Sequence, residues 1–172
     1  MDKNDYFVAI LMGSDSDLDV MKNTVDVLDS FGIPREVRIT SAHRTPAQTH
    51  QYVKEADERG CAVFIAAAGL AAHLAGTLAG ITTKPVIGVP IDGGSLGGMD
   101  ALLSTVQMPA GIPVACVAIG KAGARNAGYL AAQIIASADE SIARKLVDER
   151  AENAKKVIQK NELLTEINQK SS

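Results

Sequence analysis

Apolar runs of four to six residues alternate along the chain with segments whose apolar positions recur at helical spacing. The runs predict four strands, at residues 7–12, 61–66, 86–89 and 114–119, and the β-branched Val37 and Ile39 predict a short second strand at 36–40. Between and after them, the spacing predicts helices at residues 17–31, 46–59, 72–80, 99–108 and 125–137. Such alternation is typical of parallel strands joined by helical crossovers. We therefore predict an α/β fold, a flavodoxin-like three-layer αβα sandwich around a five-stranded parallel sheet.

Two helices carry more detailed signals. The first should turn one apolar face to the sheet, formed by Leu18, Met21, Val25 and Leu28. The second should begin at Pro46 with Thr45 as its cap, because proline suits the first helical position and threonine the position before it.

The composition changes after residue 138. Seven acidic and seven basic residues follow, and apolar residues stand among them at helical spacing: Ile142, Leu146, Ala151, Ala154 and Ile158. This pattern predicts a long amphipathic helix over residues 139–168, with 169–172 frayed. The helix could cover its own domain or that of a neighbouring subunit. We favour the neighbour, because the sheet already has its helices.

Length and composition limit the classes of function. A chain of 172 residues, 47% apolar and 22% charged, corresponds to a single globular domain. The net charge of -3 gives no basic excess, so nucleic acid is not an expected partner. No apolar run approaches the roughly 18 residues of a membrane span, and the N-terminal segment is too short for a signal peptide. We expect a cytoplasmic protein in which Cys61 and Cys116 are core thiols.

Charged residues are scarce in the middle of the chain. Between residues 60 and 136 the charged side chains are Lys84, Asp92, Asp100, Lys121 and Arg125. One small domain can hardly bury so much uncharged surface, so we expect a homo-oligomer with large subunit contacts. An unusually buried parallel sheet is the alternative.

Polar motifs follow the predicted strands, where ligands bind in open parallel sheets. After the first strand comes GSDSD at residues 13–17, in which Ser14 and backbone N–H groups could hold an anion and a carboxylate could hold sugar hydroxyls. The alternative is that Asp17 merely caps the helix. After the second strand, SAHRTP at residues 41–46 brings together a hydroxyl, an imidazole and a guanidinium: Ser41, His43 and Arg44.

The later motifs are less specific. AAAGLAAHLAG at residues 66–76 follows the third strand, and its His73 is as compatible with a structural role as with a functional one. DGGSLGG at residues 92–98 suits a cover over a ligand. Lys121 and Arg125 could face a ligand or pair with acids at an interface, and His50, inside the second helix, has no expected role.

Several known kinds of site do not fit the spacing. The sequence has neither the glycine-lysine loop of NTPases nor a dinucleotide fingerprint after the first strand. An EF-hand loop fails because Val20 and Asp26 stand where glycine and glutamate are required. A phosphoreceiver fails because the third strand ends in alanines, and the three histidines lack the further ligands of a zinc site.

The motifs MGSDSD, SAHRTP, AAHLAG, GVP and VQMPAGIPVACVAIGKAGARNA together resemble the class I N5-carboxyaminoimidazole ribonucleotide mutases of purine biosynthesis. The resemblance implies a flavodoxin-like homo-octamer that moves a carboxylate from the exocyclic nitrogen to C4 of aminoimidazole ribonucleotide, with no metal, ATP or other cofactor. It implies that Ser14, Asp17 and Arg44 bind the ribonucleotide, with Ser41 at the phosphate. It further implies that His43 is the acid and base, and that four residues line the same pocket: Gly69, Leu70, His73 and Leu74.

This sequence differs from the commonest family pattern in the pocket loop, where Leu70 replaces a glycine and Ala75 a proline. These changes affect the shape of the pocket more than the type of reaction. Relatives that use free carbon dioxide carry lysine in place of Arg44 and lack the AAHL segment, which favours the mutase. A non-catalytic nucleotide-binding module is a further alternative, although such a module has little use for His43 beside the arginine.

The predicted chemistry needs one titratable group. Cleaving a carbamate requires a proton on nitrogen, and completing the new carbon–carbon bond releases a proton from C4. An imidazole, with an ordinary pKa of about 6.5, can perform both transfers. We expect His43 to do so while carbon dioxide stays in a small, dry enclosure around Gly69.

Overall fold

The computed structural model describes residues 6–170, with side chains as far as residue 164. Its five parallel strands lie in the order β2-β1-β3-β4-β5. They are β1 (Phe7–Met12), β2 (Arg35–Ile39), β3 (Cys61–Gly69), β4 (Val86–Ile91) and β5 (Ala115–Cys116). The helices are α1 (Leu18–Phe31), α2 (Pro46–Glu58), α3 (Leu74–Ala79), α4 (Met99–Val106), α5 (Gly120–Ala136) and α6 (Glu140–Lys170). The order is flavodoxin-like, which confirms the predicted fold class.

Alternation along the strands gives the sheet two buried faces. Ile10 and Ile65 point into a core shared with α1, α5 and the first turns of α6, whereas Leu11 and Phe64 point into a second core under α2 and α3. Helix α4 packs on the second face, where the Thr105 side chain lies over Gly88 of β4. Because both of their faces are covered, β1, β3 and β4 are almost continuously apolar, whereas the edge strand β2 contains three charged residues and is largely exposed.

The closest helix packing is between α1 and α5. Met21 and Leu28 are buried as predicted, but Leu18 is exposed, and α1 buries Thr24 and Val27 in its place. The Thr24 hydroxyl donates a hydrogen bond of 2.7 Å to the Ala124 carbonyl oxygen on α5. The buried face of α1 is therefore rotated about the helix axis relative to the predicted face, because α1 packs against α5 as well as against the sheet.

Helix α5 and the strands beside it differ from the predicted bounds. The helix begins at Gly120 rather than at residue 125, because its glycines allow close packing instead of forming a loop. Strand β5 has two residues instead of six, since it pairs with β4 only through Ala115 and Cys116 before the chain turns into α5. Strand β3 extends to Gly69, because its last residues pair with β4 as far as Ile91.

Helix α6 first covers its own domain. Ile142 and Leu146 are buried against the α1 and α5 side, and Lys145 Nζ donates to the Phe31 carbonyl oxygen at 2.6 Å. The preference for a neighbouring subunit is thus wrong for these first turns. Residues 151–164 are exposed, including the predicted Ala151, Ala154 and Ile158. Of the residues predicted to fray, 169 and 170 are helical, and 171–172 lie outside the described residues.

The two cysteines differ in how deeply they are buried. Cys61 is buried as predicted, but Cys116 is only half-buried because β5 is an edge strand.

Within the described residues, no helix combines the length and the apolar character needed to cross a bilayer. The N-terminal segment considered as a signal peptide includes residues 1–5, which lie outside the described part of the chain.

Candidate active site

The loops that follow β1, β2 and β3 enclose a cavity of about 490 Å³ at the carboxyl edge of the sheet. Parallel strands bring their carboxyl ends to one edge, and the order reverses between β1 and β3, so a crevice opens there. All the predicted site residues line this cavity: Ser14, Asp17, Ser41, His43, Arg44, Gly69, Leu70, His73 and Leu74. Its volume is within the usual range for small-molecule sites.

The loop after β1 forms a short 3₁₀ turn over Asp15–Asp17. The cap of this turn is Ser14, whose Oγ accepts the backbone N–H of Ser16 at 3.3 Å. The Asp17 side chain makes no capping hydrogen bond to α1. Asp17 therefore occupies the N-cap position of α1 without the capping hydrogen bond that the structural alternative required, and it lines the cavity.

Asp17 is a buried carboxylate at the wall of the cavity. Its residue is 7% exposed, and the Ser16 hydroxyl donates to its Oδ1 at 3.2 Å. Burial raises the pKa of Asp17, while the hydrogen bond from Ser16 acts in the opposite direction. A carboxylate with little solvation and few donors is well suited to accept hydroxyl groups of a ligand.

A cluster of threonine hydroxyls holds the turn after β2. Thr40 Oγ1 lies 2.6 Å from Thr49 Oγ1, and Thr45 Oγ1 accepts the Ser41 backbone N–H at 2.9 Å. Thr45 thus occupies the capping position of α2, but its hydroxyl binds the turn instead of the helix, which corrects the predicted side-chain cap. This cluster was not predicted, although Thr40 and Thr49 stand on either side of SAHRTP in the sequence.

Arg44 connects the first two loops. Its Nη2 donates to the Gly13 carbonyl oxygen at 2.8 Å, and its backbone N–H donates to Ser41 Oγ at 3.1 Å. The guanidinium group has five N–H donors, so the Gly13 contact leaves others for a ligand. Since the residue is exposed and lines the cavity, it can bind an anion such as phosphate.

Two histidines meet across the cavity from different loops. His43 Nε2 lies 2.9 Å from His73 Nδ1, and the two rings are nearly perpendicular at an interplanar angle of 85°. One nitrogen donates and the other accepts, so the contact fixes the orientation of both rings. The structure therefore places His73 in the cavity, whereas His50 is exposed on α2 as expected.

The third wall is apolar and built from the end of β3 and the start of α3. Leu74 is buried, Gly69 is half-buried, and Leu70 is 55% exposed. A Cβ atom on Gly69 would stand 3.1 Å from the Ile91 carbonyl oxygen, so the backbone approaches β4 closely here. The residues of this wall that line the cavity are 68–71, 73 and 74, and none of them is Asp, Glu, Lys or Arg.

Some lining residues were not predicted. The cavity also contacts Gly13, Ser16, Ala42, Ala68, Ala71 and Gly93. The carbonyl oxygen of Gly13, which accepts from Arg44, has no side-chain signal in the sequence. Lys121 and Arg125 are not among the lining residues, and the described residues contain no cluster of three His, Cys, Asp or Glu that could hold a metal.

The fold and the site together define a class. This is a flavodoxin-like α/β protein whose strand-end cavity combines an exposed arginine, a buried carboxylate and a pair of histidines, a set of groups suited to an enzyme that acts on a small anionic, hydroxylated substrate. The sequence profile of the AIR carboxylase family matches residues 7–156, most of the chain, and the chain belongs to this family.

Individual relatives agree with this assignment. The N5-carboxyaminoimidazole ribonucleotide mutase of Bacillus subtilis (strain 168) is 56% identical over 151 residues, covering 88% of this chain and 93% of the relative. The protein of the same name from Thermotoga maritima is 50% identical over 163 residues, covering 95% and 94%. The crystal structure of Treponema denticola PurE matches with a TM-score of 0.81 and 33% identity, covering 90% of this chain and 95% of that one.

Proposed function

We propose that this protein is an isomerase of purine biosynthesis that converts N5-carboxyaminoimidazole ribonucleotide to 4-carboxy-5-aminoimidazole ribonucleotide. The family and the names of its relatives support this activity. The observation that carries the proposal is the position of His43 beside Arg44 in one cavity, opposite Ser14 and Asp17. An anion-binding site alone has no need of a histidine there, whereas a proton transfer does.

The polar loops bind the ribonucleotide. Arg44 contacts the phosphate with the donors left free by its Gly13 contact, and the hydroxyls of Ser14 and Ser41 assist. Asp17 accepts hydrogen bonds from ribose hydroxyls. Burial raises the pKa of this carboxylate, and the hydroxyl donors would compensate for its lost solvation. The heterocycle then extends toward the apolar wall.

His43 transfers one proton in each direction. Protonated His43 donates to the carbamate nitrogen, and the C–N bond breaks with its electron pair remaining on nitrogen, which releases carbon dioxide. The enamine carbon C4 then attacks carbon dioxide to form the C–C bond, and neutral His43 removes the proton from C4. His73 orients the ring through the 2.9 Å contact, and Gly69, Leu70 and Leu74 line the space that holds carbon dioxide.

A direct assay tests the activity. The purified protein is mixed with N5-carboxyaminoimidazole ribonucleotide without ATP, metal or biotin, and formation of the carbon-linked carboxylate is followed by absorbance and mass spectrometry. We expect enzymatic conversion above the spontaneous rate. A protein that binds the nucleotide without converting it would be the non-catalytic module, and the proposal would fail.

The second candidate is a carboxylase that uses free carbon dioxide and aminoimidazole ribonucleotide. The family name, AIR carboxylase, favours this candidate, whereas Arg44 and the AAHL segment at residues 71–74 favour the mutase. Supplying aminoimidazole ribonucleotide with bicarbonate distinguishes them. Faster turnover than with the carbamate would identify the carboxylase.

We further propose that the protein acts in the cytoplasm as a homo-oligomer, an octamer as the family resemblance implies, with no nucleic acid or membrane partner. An apolar surface on and beside α4 supports self-association. Four of its side chains are 46–64% exposed in the single chain: Leu96, Met99, Leu103 and Val106. Sedimentation velocity at micromolar concentration tests this, and a monomer would overturn it.

A further inference from the structure

Leu70 has a backbone conformation that is unusual for its residue type. Its φ of 56° lies in the left-handed region, and among residues 6–170 it is the one non-glycine residue with positive φ. A branched side chain in this region costs energy that glycine would avoid. Such strain persists only where surrounding structure maintains it, and it is concentrated at functional sites.

The Leu70 side chain reaches the loop 92–98, which follows the neighbouring strand β4. A Cβ atom built on Gly94 would stand 2.6 Å from Leu70 Cδ2, so the leucine occupies the space where a larger residue would place its side chain. Beside this contact, a Cβ on Gly69 would lie 3.7 Å from Gly93 Cα. Leu70 and the adjacent Gly93 both line the cavity. The contact therefore links the apolar wall to the loop.

The chemistry at this end of the cavity suits a neutral molecule. The wall formed by residues 68–74 is apolar apart from His73, whereas Asp17 and Arg44 belong to the loops after β1 and β2. Carbon dioxide is small and uncharged, and it escapes unless the enclosure is closed. The glycine-rich loop 92–98, which contacts Leu70, can close this end of the cavity without filling it with side chains.

We propose that Leu70 is a specificity-determining residue that holds the loop 92–98 over the apolar end of the cavity and retains the carbon dioxide of the reaction. The proposal rests on the proposed function above. Leu70 takes no part in bond making, which remains with His43. It determines how often released carbon dioxide is captured by C4 of the same substrate rather than exchanged with solution.

Labelled bicarbonate measures this retention. The carbamate substrate is converted in the presence of ¹³C-bicarbonate and carbonic anhydrase, and early incorporation of ¹³C into the product carboxylate is read by mass spectrometry. We expect low incorporation by the unmodified protein and about tenfold more by Leu70→Gly, since losing part of a leucine contact lowers the barrier to escape by about that factor. Leu163→Ala, which truncates a similarly exposed leucine on α6 away from the cavity, is the matched control and should behave as the unmodified protein.

A second variant tests the contact itself. Gly94→Ala places a methyl group against Leu70 and should also raise ¹³C incorporation. In the Leu70→Gly background, Gly94→Ala should add nothing, because the atom it displaces is gone. Additive effects of the two changes would contradict a direct contact.

Amide hydrogen exchange tests whether Leu70 holds the loop without depending on the proposed catalytic activity. Leu70→Gly should increase amide exchange in residues 92–98 and leave the core of the sheet unchanged, whether or not the protein is active. If Leu70→Gly excludes label as well as the unmodified protein does, or if exchange in the loop is unchanged, the role of Leu70 is refuted. If the unmodified protein converts no substrate, the proposed function fails, and the exchange result alone decides whether Leu70 holds the loop.

Discussion

Replacing Arg44 with lysine tests how the site binds an anion. Arg44 Nη2 already donates to the Gly13 carbonyl oxygen at 2.8 Å, and the residue lines the cavity. A lysine has one ammonium group at the end of its chain, and this group cannot keep the Gly13 contact and also bind phosphate in the same geometry. The substitution therefore preserves the charge but removes part of the hydrogen bonding.

The expected magnitude follows from that loss. A hydrogen bond to a charged group contributes roughly 1.5–3 kcal/mol, so Arg44→Lys should weaken nucleotide binding about 10- to 100-fold. Because we propose that His43, and not Arg44, transfers the proton, we expect the change mainly in KM and a smaller change in kcat. Isothermal titration with the product nucleotide measures Kd, and steady-state kinetics separate KM from kcat.

A surface arginine provides the control. Arg35 pairs with Asp29 at 2.6 Å on the amino side of the sheet and does not line the cavity. Arg35→Lys should leave Kd and KM unchanged. If Arg44→Lys binds the nucleotide as tightly as the unmodified protein, then Arg44 does not contact the phosphate and the binding scheme is wrong.

Two further changes test the carboxylate and the packing beneath the site. The folded-state pKa of Asp17 is raised by burial, so its ionised form lowers stability above that pKa, and this cost disappears as the pH falls through it. Asp17→Asn should therefore raise the Tm of the free protein near neutral pH, with a smaller gain in acid, and should weaken nucleotide binding. A Cβ atom on Gly128 would stand 2.8 Å from Val27 Cβ, which is too close for normal packing. Gly128→Ala should therefore lower the free energy of unfolding, measured by urea titration, by about 2 kcal/mol. This value is the net effect, because the higher helix propensity of alanine offsets part of the packing cost.

Each of these changes has a control and a contradicting result. Asp26→Asn alters an exposed carboxylate on α1 and should not raise the Tm at neutral pH as Asp17→Asn does. Equal Tm values for the two variants would refute the cost assigned to burial. Gly80→Ala meets its nearest atoms at 3.6 and 3.7 Å and should be nearly neutral, and a stable Gly128→Ala would show that α1 and α5 can separate without cost.

The order of elements could be predicted because it depends on local pattern. Buried parallel strands are apolar throughout, and each crossover helix has its own spacing, so β1 and α1 were predicted within a residue at each end. The predicted ends of strands and helices were wrong where contacts between distant parts of the chain determine them. Residues 120–124 were interpreted as a loop, yet α5 begins at Gly120, and a Cβ atom on Gly123 would overlap the Ala118 carbonyl group, so the missing side chain permits this early start.

The residues of the site could be predicted, but their contacts could not. Strand ends meet at one edge of any parallel sheet, so motifs that follow β1, β2 and β3 were expected to share a cavity. The bond between His43 and His73 joins residues from two different loops, and no spacing in the sequence encodes it. The left-handed backbone of Leu70 was likewise unpredictable, because a leucine gives no local signal for positive φ.

Turnover by His43→Asn most directly tests the account. Asparagine keeps a polar group at this position but cannot transfer a proton near neutral pH. We expect product formation from the carbamate to fall roughly 10²- to 10⁴-fold, with nucleotide affinity close to that of the unmodified protein. Near-normal turnover by this variant would contradict the assignment of His43 as the acid and base of the reaction.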